Sequence, residues 1–259
     1  MYKKGYASRS IRGKLKVCGY LSSDPQLKRY VPRTMSFNKS HMNVMSDKYQ
    51  ALYIKPDVGS LGMGIFKLRR LDRGYELKEI AGRRQLSNLY PTISSVYDRI
   101  SKRKKGAMII QQAISLDRLS GRPYDIRAMV QRKTDGSWTC SGFLVKVGAA
   151  DKIVTNYYQG GEIYSLGKLF KRQGLTAEQS SRRKSELKAA ALHIANALSS
   201  KRAGMKEMGI DFAYDQNHQL WVLEVNSNHP QYHPLKNVDR SAYNRMKALA
   251  AGYGRYSDK

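Results

Sequence analysis

Asp211, Glu224 and Asn226 are the residues of this sequence whose types and spacing most directly imply chemistry. Glu224 and Asn226 are two apart and share one face of a strand. Asp211 stands thirteen residues before Glu224, in a run Gly209-Ile210-Asp211-Phe212 that reads as a second strand. A polar turn at Asp215 to His218 separates the runs, and a hairpin there brings the two carboxylates and the amide to one end of a sheet. Hard oxygen donors of this kind suit Mg2+, which takes few carboxylates and completes its shell with water and phosphate oxygens. The plainer reading pairs both carboxylates with neighbouring lysines. Acids are scarce, however, and Glu224 sits in the otherwise apolar strand Leu220-Trp221-Val222-Leu223-Glu224-Val225, where an unpaired charge is costly. The metal reading is favoured.

Three other groups carry possible chemistry. Gly59-Ser60-Leu61-Gly62-Met63-Gly64 follows the strand-like run Ala51-Leu52-Tyr53-Ile54, and its backbone N–H groups are free to approach phosphates, with Lys55 as a point charge beside them. A tight hairpin uses glycine too, and no Gly-Lys-Ser/Thr follows, so this is not a Walker loop. Asp125 and Arg127 face the same way from a strand; Arg127 suits an oxyanion, although taken by itself the motif favours a structural salt bridge. Thr155-Asn156-Tyr157-Tyr158-Gln159-Gly160-Gly161 is a polar loop that means little in isolation.

The elements that must position these residues are mixed. Residues 92–105 carry Ile93, Val96, Tyr97 and Ile100 at helical spacing, and Thr176 to Gln179 reads as a capping box opening a helix with Leu187, Ala191, Ile194 and Leu198 inward and Arg182, Arg183, Lys184 and Lys188 outward. Met108-Ile109-Ile110, Asp125 to Gln131 and Ser141 to Val147 read as strands, the last two joined through Thr134-Asp135-Gly136. Helices and antiparallel strands without strict alternation predict an α+β fold.

Composition bounds the rest. The 259 residues, 41% hydrophobic, can bury a real core, and no apolar run is long enough to cross a membrane as a helix. Two cysteines make no disulfide framework, which favours a reducing compartment. A formal net charge of +27 predicts nonspecific attraction to polyanions. The first 23 residues carry six Lys/Arg and no acid, as a basic arm or a transit peptide does. A nucleic-acid-binding protein is the rival reading, with eighteen tyrosines among the basic residues, but there is no zinc-finger or RRM signature. Trp138 and Trp221 read as core or sheet residues.

Taken in order, Lys55-Pro56 with GSLGMG, QQAI, DIRAMVQ, TNYYQGG and GIDFAYD…LWVLEVNS resemble the ATP-grasp superfamily, nearest to its YheC/YheD-like, endospore coat-associated branch. YLSSDPQLKRYVPRT extends the resemblance, which runs from about Lys14 to about Pro234. It implies two α+β lobes clamping ATP: a basic segment over 1–30, reduced from the usual preceding region, an N-terminal lobe over 31–112 and a C-terminal lobe over 113–259. It further implies that Lys55 contacts phosphates, that the loop with Gly59, Ser60, Gly62 and Gly64 covers them, and that Gln111, Gln112, Ala113 and Ile114 form the hinge that reads adenine. Asp117 would reach the ribose, Asp211, Glu224 and Asn226 would hold Mg2+, Arg127 would stabilise the transferring phosphoryl group and Asn156 would lie near it. Lys14 or Lys16 would add a phosphate contact. The implied activity is an ADP-forming ligase that joins a carboxylate, in an acidic peptide or polymer, to an amine or other nucleophile through an acyl phosphate; an ATP-grasp kinase and a non-catalytic spore-coat ATP-binding protein are the alternatives. A cytoplasmic or spore-associated location goes with this resemblance. Val154 stands where many peptide-forming relatives have arginine, and Ser227-Asn228-His229-Pro230-Gln231 replaces the usual Pro-Gly. His229 and His233 sit where an acceptor would bind.

Overall fold

The structure is a computed structural model in which residues 5–59, 63–82, 84–150, 152–155 and 160–255 are described. The chain first forms α1 (Lys14–Ser22). Its sequence, with Gly19 inside and two lysines in the first turn, is a weak helix former. The helix is started from elsewhere: Asp57 accepts the Lys14 N–H on its carbonyl at 3.0 Å and the Leu15 N–H on its carboxylate at 2.8 Å. Gly13, at φ 95°, lies so close that a Cβ there would be 2.8 Å from Asp57 Oδ2. The cap is thus lent by the segment that opens the glycine loop, and α1 is tied to that loop.

The first sheet is antiparallel, in the order β1-β6-β2-β3-β4-β5. Its strands are β1 (Thr34–Ser36), β2 (Ala51–Pro56), β3 (Phe66–Arg70), β4 (Tyr75–Ala81), β5 (Arg84–Tyr90) and β6 (Met108–Gln112). Strand alternation puts Leu52, Ile54, Phe66, Leu68, Leu77 and Ile110 on one face, where α2 (Lys39–Lys48) and α3 (Ile93–Arg103) cover them. Asn38 caps α2 and Thr92 caps α3 through their side chains. The other face carries Tyr53, Lys55, Lys67, Lys78 and Gln111 and looks toward the second sheet.

The second sheet is built from β7 (Arg118–Leu119), β8 (Arg122–Arg132), β9 (Trp138–Val147), β10 (Glu162–Tyr164), β11 (Glu207–Tyr214) and β12 (Leu220–Asn226). The order is β10-β9-β8-β11-β12, with β7 paired to the start of β8. After α4 (Leu166–Arg172), α5 (Ala177–Lys201) opens with the predicted capping box and buries Leu187, Ala191, Ile194 and Leu198 on one face of this sheet. Val17, Leu21, Leu27 and Tyr30 join the same core, so the segment before β1 packs with the second sheet. On the opposite face, α6 (Arg240–Ala251) and the short helix His233–Asn237 cover Met129 and Leu144 but not the far half. That uncovered half is polar.

Candidate functional site

The uncovered half-face holds Asp125, Arg127, Lys146, Asp211 and Glu224, and strand register brings them together. Asp211 lies opposite both Arg127 on β8 and Glu224 on β12, and Asp125 lies opposite Lys146 on β9. A bulge between Asp211 and Phe212 returns the apolar side chains to the core face beyond the site. Arg127 grips Asp211 with two parallel bonds, Nε to Oδ1 at 2.7 Å and Nη2 to Oδ2 at 2.8 Å, and its Nη1 donates to the Gln231 carbonyl at 3.2 Å. Lys146 bridges the two aspartates, 2.7 Å from Asp125 and 3.1 Å from Asp211.

The electrostatics follow from this geometry. Burial alone would raise the Asp211 pKa, but Arg127 and Lys146 hold it well below the usual carboxylate range. Burial does raise Asp125, against the pull of Lys146. Burial disfavours the Lys146 cation too, yet Asp125 and Asp211 hold its pKa above the ordinary lysine value. The expectations that placed Asp211 on a metal and Arg127 on a phosphoryl group are therefore joined in one bidentate pair. The plainer reading of Asp211 as a lysine-paired carboxylate is also met, by Lys146, a residue the sequence reading passed over. Its signal was a lysine alternating into the apolar strand Phe143-Leu144-Val145-Lys146-Val147.

Glu224 is the more open carboxylate, 35% exposed, with Lys14 Nζ at 3.3 Å. The same ammonium donates to the Gly59 carbonyl at 3.0 Å, which sets Lys14 between Glu224 and the start of the glycine loop, while Lys16 lies over the Tyr20 ring. Lys55 reaches across from the first sheet to within 3.5 Å of the Leu223 carbonyl. Its pKa is lowered by burial, only partly offset by Glu224. Here the two lobes meet over a cluster of cations and one exposed carboxylate. Asn226 Oδ1 accepts the Asn228 N–H at 2.9 Å, which shapes the turn after β12.

The glycine loop is described at its two ends. Gly59 and Gly64, the latter at φ 67°, both lie against the Pro56 ring, where a Cβ would come 3.3 and 3.4 Å from its carbons. Ser60, Gly62 and Asn156 lie outside the described residues. Thr155, next to Asn156, donates its hydroxyl to Asp125, and Ile153 is held by the Tyr53 hydroxyl at 2.6 Å and by Gln85 at 2.9 Å. The 152–155 segment therefore bridges the two sheets.

At the hinge, Gln111 is buried and donates to the Thr34 hydroxyl at 2.9 Å, and the Ala113 N–H donates to the Ala51 carbonyl at 3.1 Å. Two cavities flank it. One of about 300 Å³ is lined by Gln112, Ala113, Ile114, Asp215 and Trp221; one of about 510 Å³ is lined by Gln112 and Trp221 with Cys18, Arg33 and Tyr49. Trp221 is a sheet residue, as expected, on β12; it also walls both cavities and donates to Asp215 at 2.9 Å. Trp138 is buried beneath Arg132. The Asp117 carboxylate is already engaged: it accepts from Tyr124 at 2.7 Å and Gln173 at 3.0 Å, and also from the Arg118 N–H.

A second buried network holds the turn after β12. Glu207, fully buried, accepts from Tyr253 at 2.9 Å and from Tyr6 and Arg255, and Arg255 also donates to the Pro230 carbonyl at 2.9 Å. Tyr6 and His229 share a hydrogen bond at 2.9 Å. Residues near both described ends of the chain thus clamp the loop whose Gln231 carbonyl orients Arg127. His229, read as an acceptor residue, belongs to this clamp.

Among the described residues no three His, Cys, Asp or Glu side chains form a ready metal cluster. Two carboxylates at adjacent register positions plus an amide nonetheless match Mg2+, whose remaining ligands come from phosphates and water. Lys14 and Lys55 stand beside them for the phosphates.

The family model for the YheC/D-like ATP-grasp domain matches residues 4–256. The endospore coat-associated protein YheD of Bacillus subtilis is 26% identical over 250 residues, 92% of this chain and 54% of its own length. The endospore coat-associated protein YheC of the same organism is 18% identical over 226 residues, 87% of this chain and 62% of its own length. This chain thus spans little more than half the length of these relatives. With the order of motifs, the two antiparallel sheets and the match over nearly every residue, the chain belongs to the YheC/D-like ATP-grasp family.

Proposed function

We propose that this protein is an ADP-forming ATP-grasp ligase that activates a carboxylate as an acyl phosphate and passes it to an amine or another nucleophile. The carboxylate belongs to an acidic peptide or polymer, and the setting is the spore coat with which the relatives are associated by name. The observation that carries the reading is the register that sets Asp211 opposite Glu224, with Lys14 from α1 and Lys55 from the first sheet converging on the same place.

Each residue then has a physical task. Lys55, whose charged form burial disfavours, gains an anionic partner when a triphosphate lies beside it. Glu224, Asp211 and Asn226 would hold Mg2+, which when bound neutralises phosphate charge and polarises the transferred group. Arg127 spends three N–H bonds on Asp211 and Gln231, which leaves two of its five to face an incoming oxyanion. Lys146 fixes Asp125, and Asp125 holds Thr155, which sets the start of the loop carrying Asn156. The hinge residues Gln112 to Ile114 with Trp221 offer a flat, partly apolar recess suited to adenine. Most of the catalysis is positioning and charge stabilisation inside a cleft that excludes water.

The test is ADP release from Mg-ATP with a panel of carboxylates and amines. ADP release that requires both partners supports ligation. ADP release with transfer of phosphate to a stable product supports a kinase. ATP binding without turnover under all pairs supports a scaffold, and no nucleotide binding overturns the proposal.

A further inference from the structure

The inner face of the first sheet carries a second basic cluster that the catalytic reading does not use. Register places Lys67 on β3 directly opposite Lys78 on β4, with Tyr53 on one side of Lys67 and Ser87 beyond Lys78. Arg69 lies in the next row, paired with Glu76 at 3.0 Å; Lys78 is 3.5 Å from the same carboxylate. Like charges directly opposite across two strands repel, and a sheet that keeps such a pair on a half-buried face does so at a cost in stability. The Lys67 ammonium sits 5.4 Å over the Tyr53 ring, and among the described residues no carboxylate is within ion-pair range of it. Its pKa is lowered by burial and then by the neighbouring cations, Lys78 first. Glu76 thus pairs with Arg69 and Lys78, and Lys67 is left without an ion pair among the described residues.

The other concentrated basic surface, on α5, is different in kind. Arg182, Lys184 and Lys188 project from an exposed helix face, and Arg183 already rests on Tyr214 and bonds His218. Such a face is an ordinary solvated one. The Lys67 cluster instead lies on the inner sheet face, which the 152–155 segment crosses through Tyr53 and Gln85. Tyr53 has its hydroxyl committed to Ile153 and its ring under Lys67, so the cluster lacks the open stacking faces that single-stranded nucleic acid needs.

The geometry points to a docking track for an acidic peptide or poly-carboxylate, formed by Lys67, Lys78 and Arg69, that holds the acceptor on the sheet face that also carries Lys55. This rests on the ligase reading above and names where its acidic substrate lies. A bound carboxylate chain replaces the mutual repulsion of the three cations with attraction.

The test is fluorescence anisotropy of labelled poly-glutamate with the full chain, the Lys67→Gln/Lys78→Gln variant, and an Arg182→Gln/Lys184→Gln control of equal charge change. Mg-ATP binding is measured on each by calorimetry. The track predicts that the first variant weakens poly-glutamate binding roughly tenfold, about 1.4 kcal/mol, while Mg-ATP binding is kept and the α5 control changes little. Equal weakening in both variants means nonspecific charge alone and overturns the inference. So does binding of a single-stranded oligonucleotide, but not poly-glutamate, at this cluster. Failure of wild-type Mg-ATP binding sinks the ligase reading, while the poly-glutamate comparison still decides the track. Should the double variant fold poorly, Lys78→Gln alone serves; relief of the cross-strand repulsion predicts that it melts no lower than wild type.

Discussion

Gly209 offers a sharp test of how the site is assembled. It precedes Ile210-Asp211 on β11 and has an ordinary strand conformation, so alanine there carries no backbone strain. By itself the change Gly209→Ala should stabilise the protein by about 0.4–1 kcal/mol, through reduced freedom of the unfolded chain. The structure opposes that gain. A Cβ at this position would stand 2.8 Å from Pro230 Cβ and 3.2 Å from Arg127 Cδ, where carbon atoms prefer about 3.5–4.0 Å. Neither neighbour gives way easily: Pro230 is a ring whose carbonyl is held by Arg255, and Arg127 is fixed by Asp211 and Gln231. Overpacking of this kind costs about 1–3 kcal/mol, so the mid-range net effect is a loss of about 1.3 kcal/mol. At about 2–4 °C per kcal/mol for a chain of this size, the melting temperature falls by about 3–5 °C. Chemical denaturation of Gly209→Ala, Pro230→Gly and the double variant provides the assay. The clash predicts that the double variant loses less than the sum of the single ones, because Pro230→Gly removes the opposing carbon. If Gly209→Ala is as stable as wild type or more so, or if the cycle shows no coupling, the placement of Arg127 between this strand and the 227–232 loop is wrong.

Glu224→Gln should lower ATP turnover roughly a hundredfold or more while leaving the fold intact, since this carboxylate is partly exposed and bears on charge that develops during transfer; steady-state ADP release with a melting curve separates the two effects. Lys55 has a folded pKa below 10.5, so its charge penalty is fully present below that lowered pKa and disappears as pH rises through it toward 10.5. A triphosphate beside it reverses the shift, and Mg-ATP binding at alkaline pH should take up protons, read by calorimetry in buffers of different ionisation heat; equal uptake by Lys55→Met would refute the contact. Arg255→Met should destabilise by about 3–5 kcal/mol by leaving Glu207 buried without its cation, whereas Arg255→Met with Glu207→Gln should lose less. Denaturant titration of both variants checks it.

Much of this arrangement was readable from sequence where the signal is local. The Asp211–Glu224 hairpin showed itself by a turn between two apolar runs, and α5 by its capping box and helical spacing. The hairpin of β4 and β5 was not visible, because Lys78, Glu76 and exposed residues such as Leu86 and Leu89 blur the alternation. Helix α1 has little pattern of its own and is capped by Asp57, more than forty residues away in the chain. The pairing of Arg127 with Asp211 was missed for a related reason. Arg127 reads from spacing as a partner of Asp125 or of an oxyanion, and Asp211 as a partner of a metal or a lysine, while cross-strand register, which no spacing along one strand reveals, pairs the two with each other. Lys146 enters the site the same way. The Glu207 clamp joins residues 201 apart, Tyr6 and Glu207, and no sequence pattern marks it.

The central claim is that a triphosphate and Mg2+ lie between the two sheets, against Lys55 on the first and Lys14, Asp211 and Glu224 on the side of the second. A crystal structure with a non-hydrolysable ATP analogue and Mg2+ tests it most directly. Phosphate density within contact of Lys55, with the metal on Glu224, is the predicted result. A nucleotide bound elsewhere, or a saturated crystal with the space between Lys55 and Glu224 empty, would contradict it.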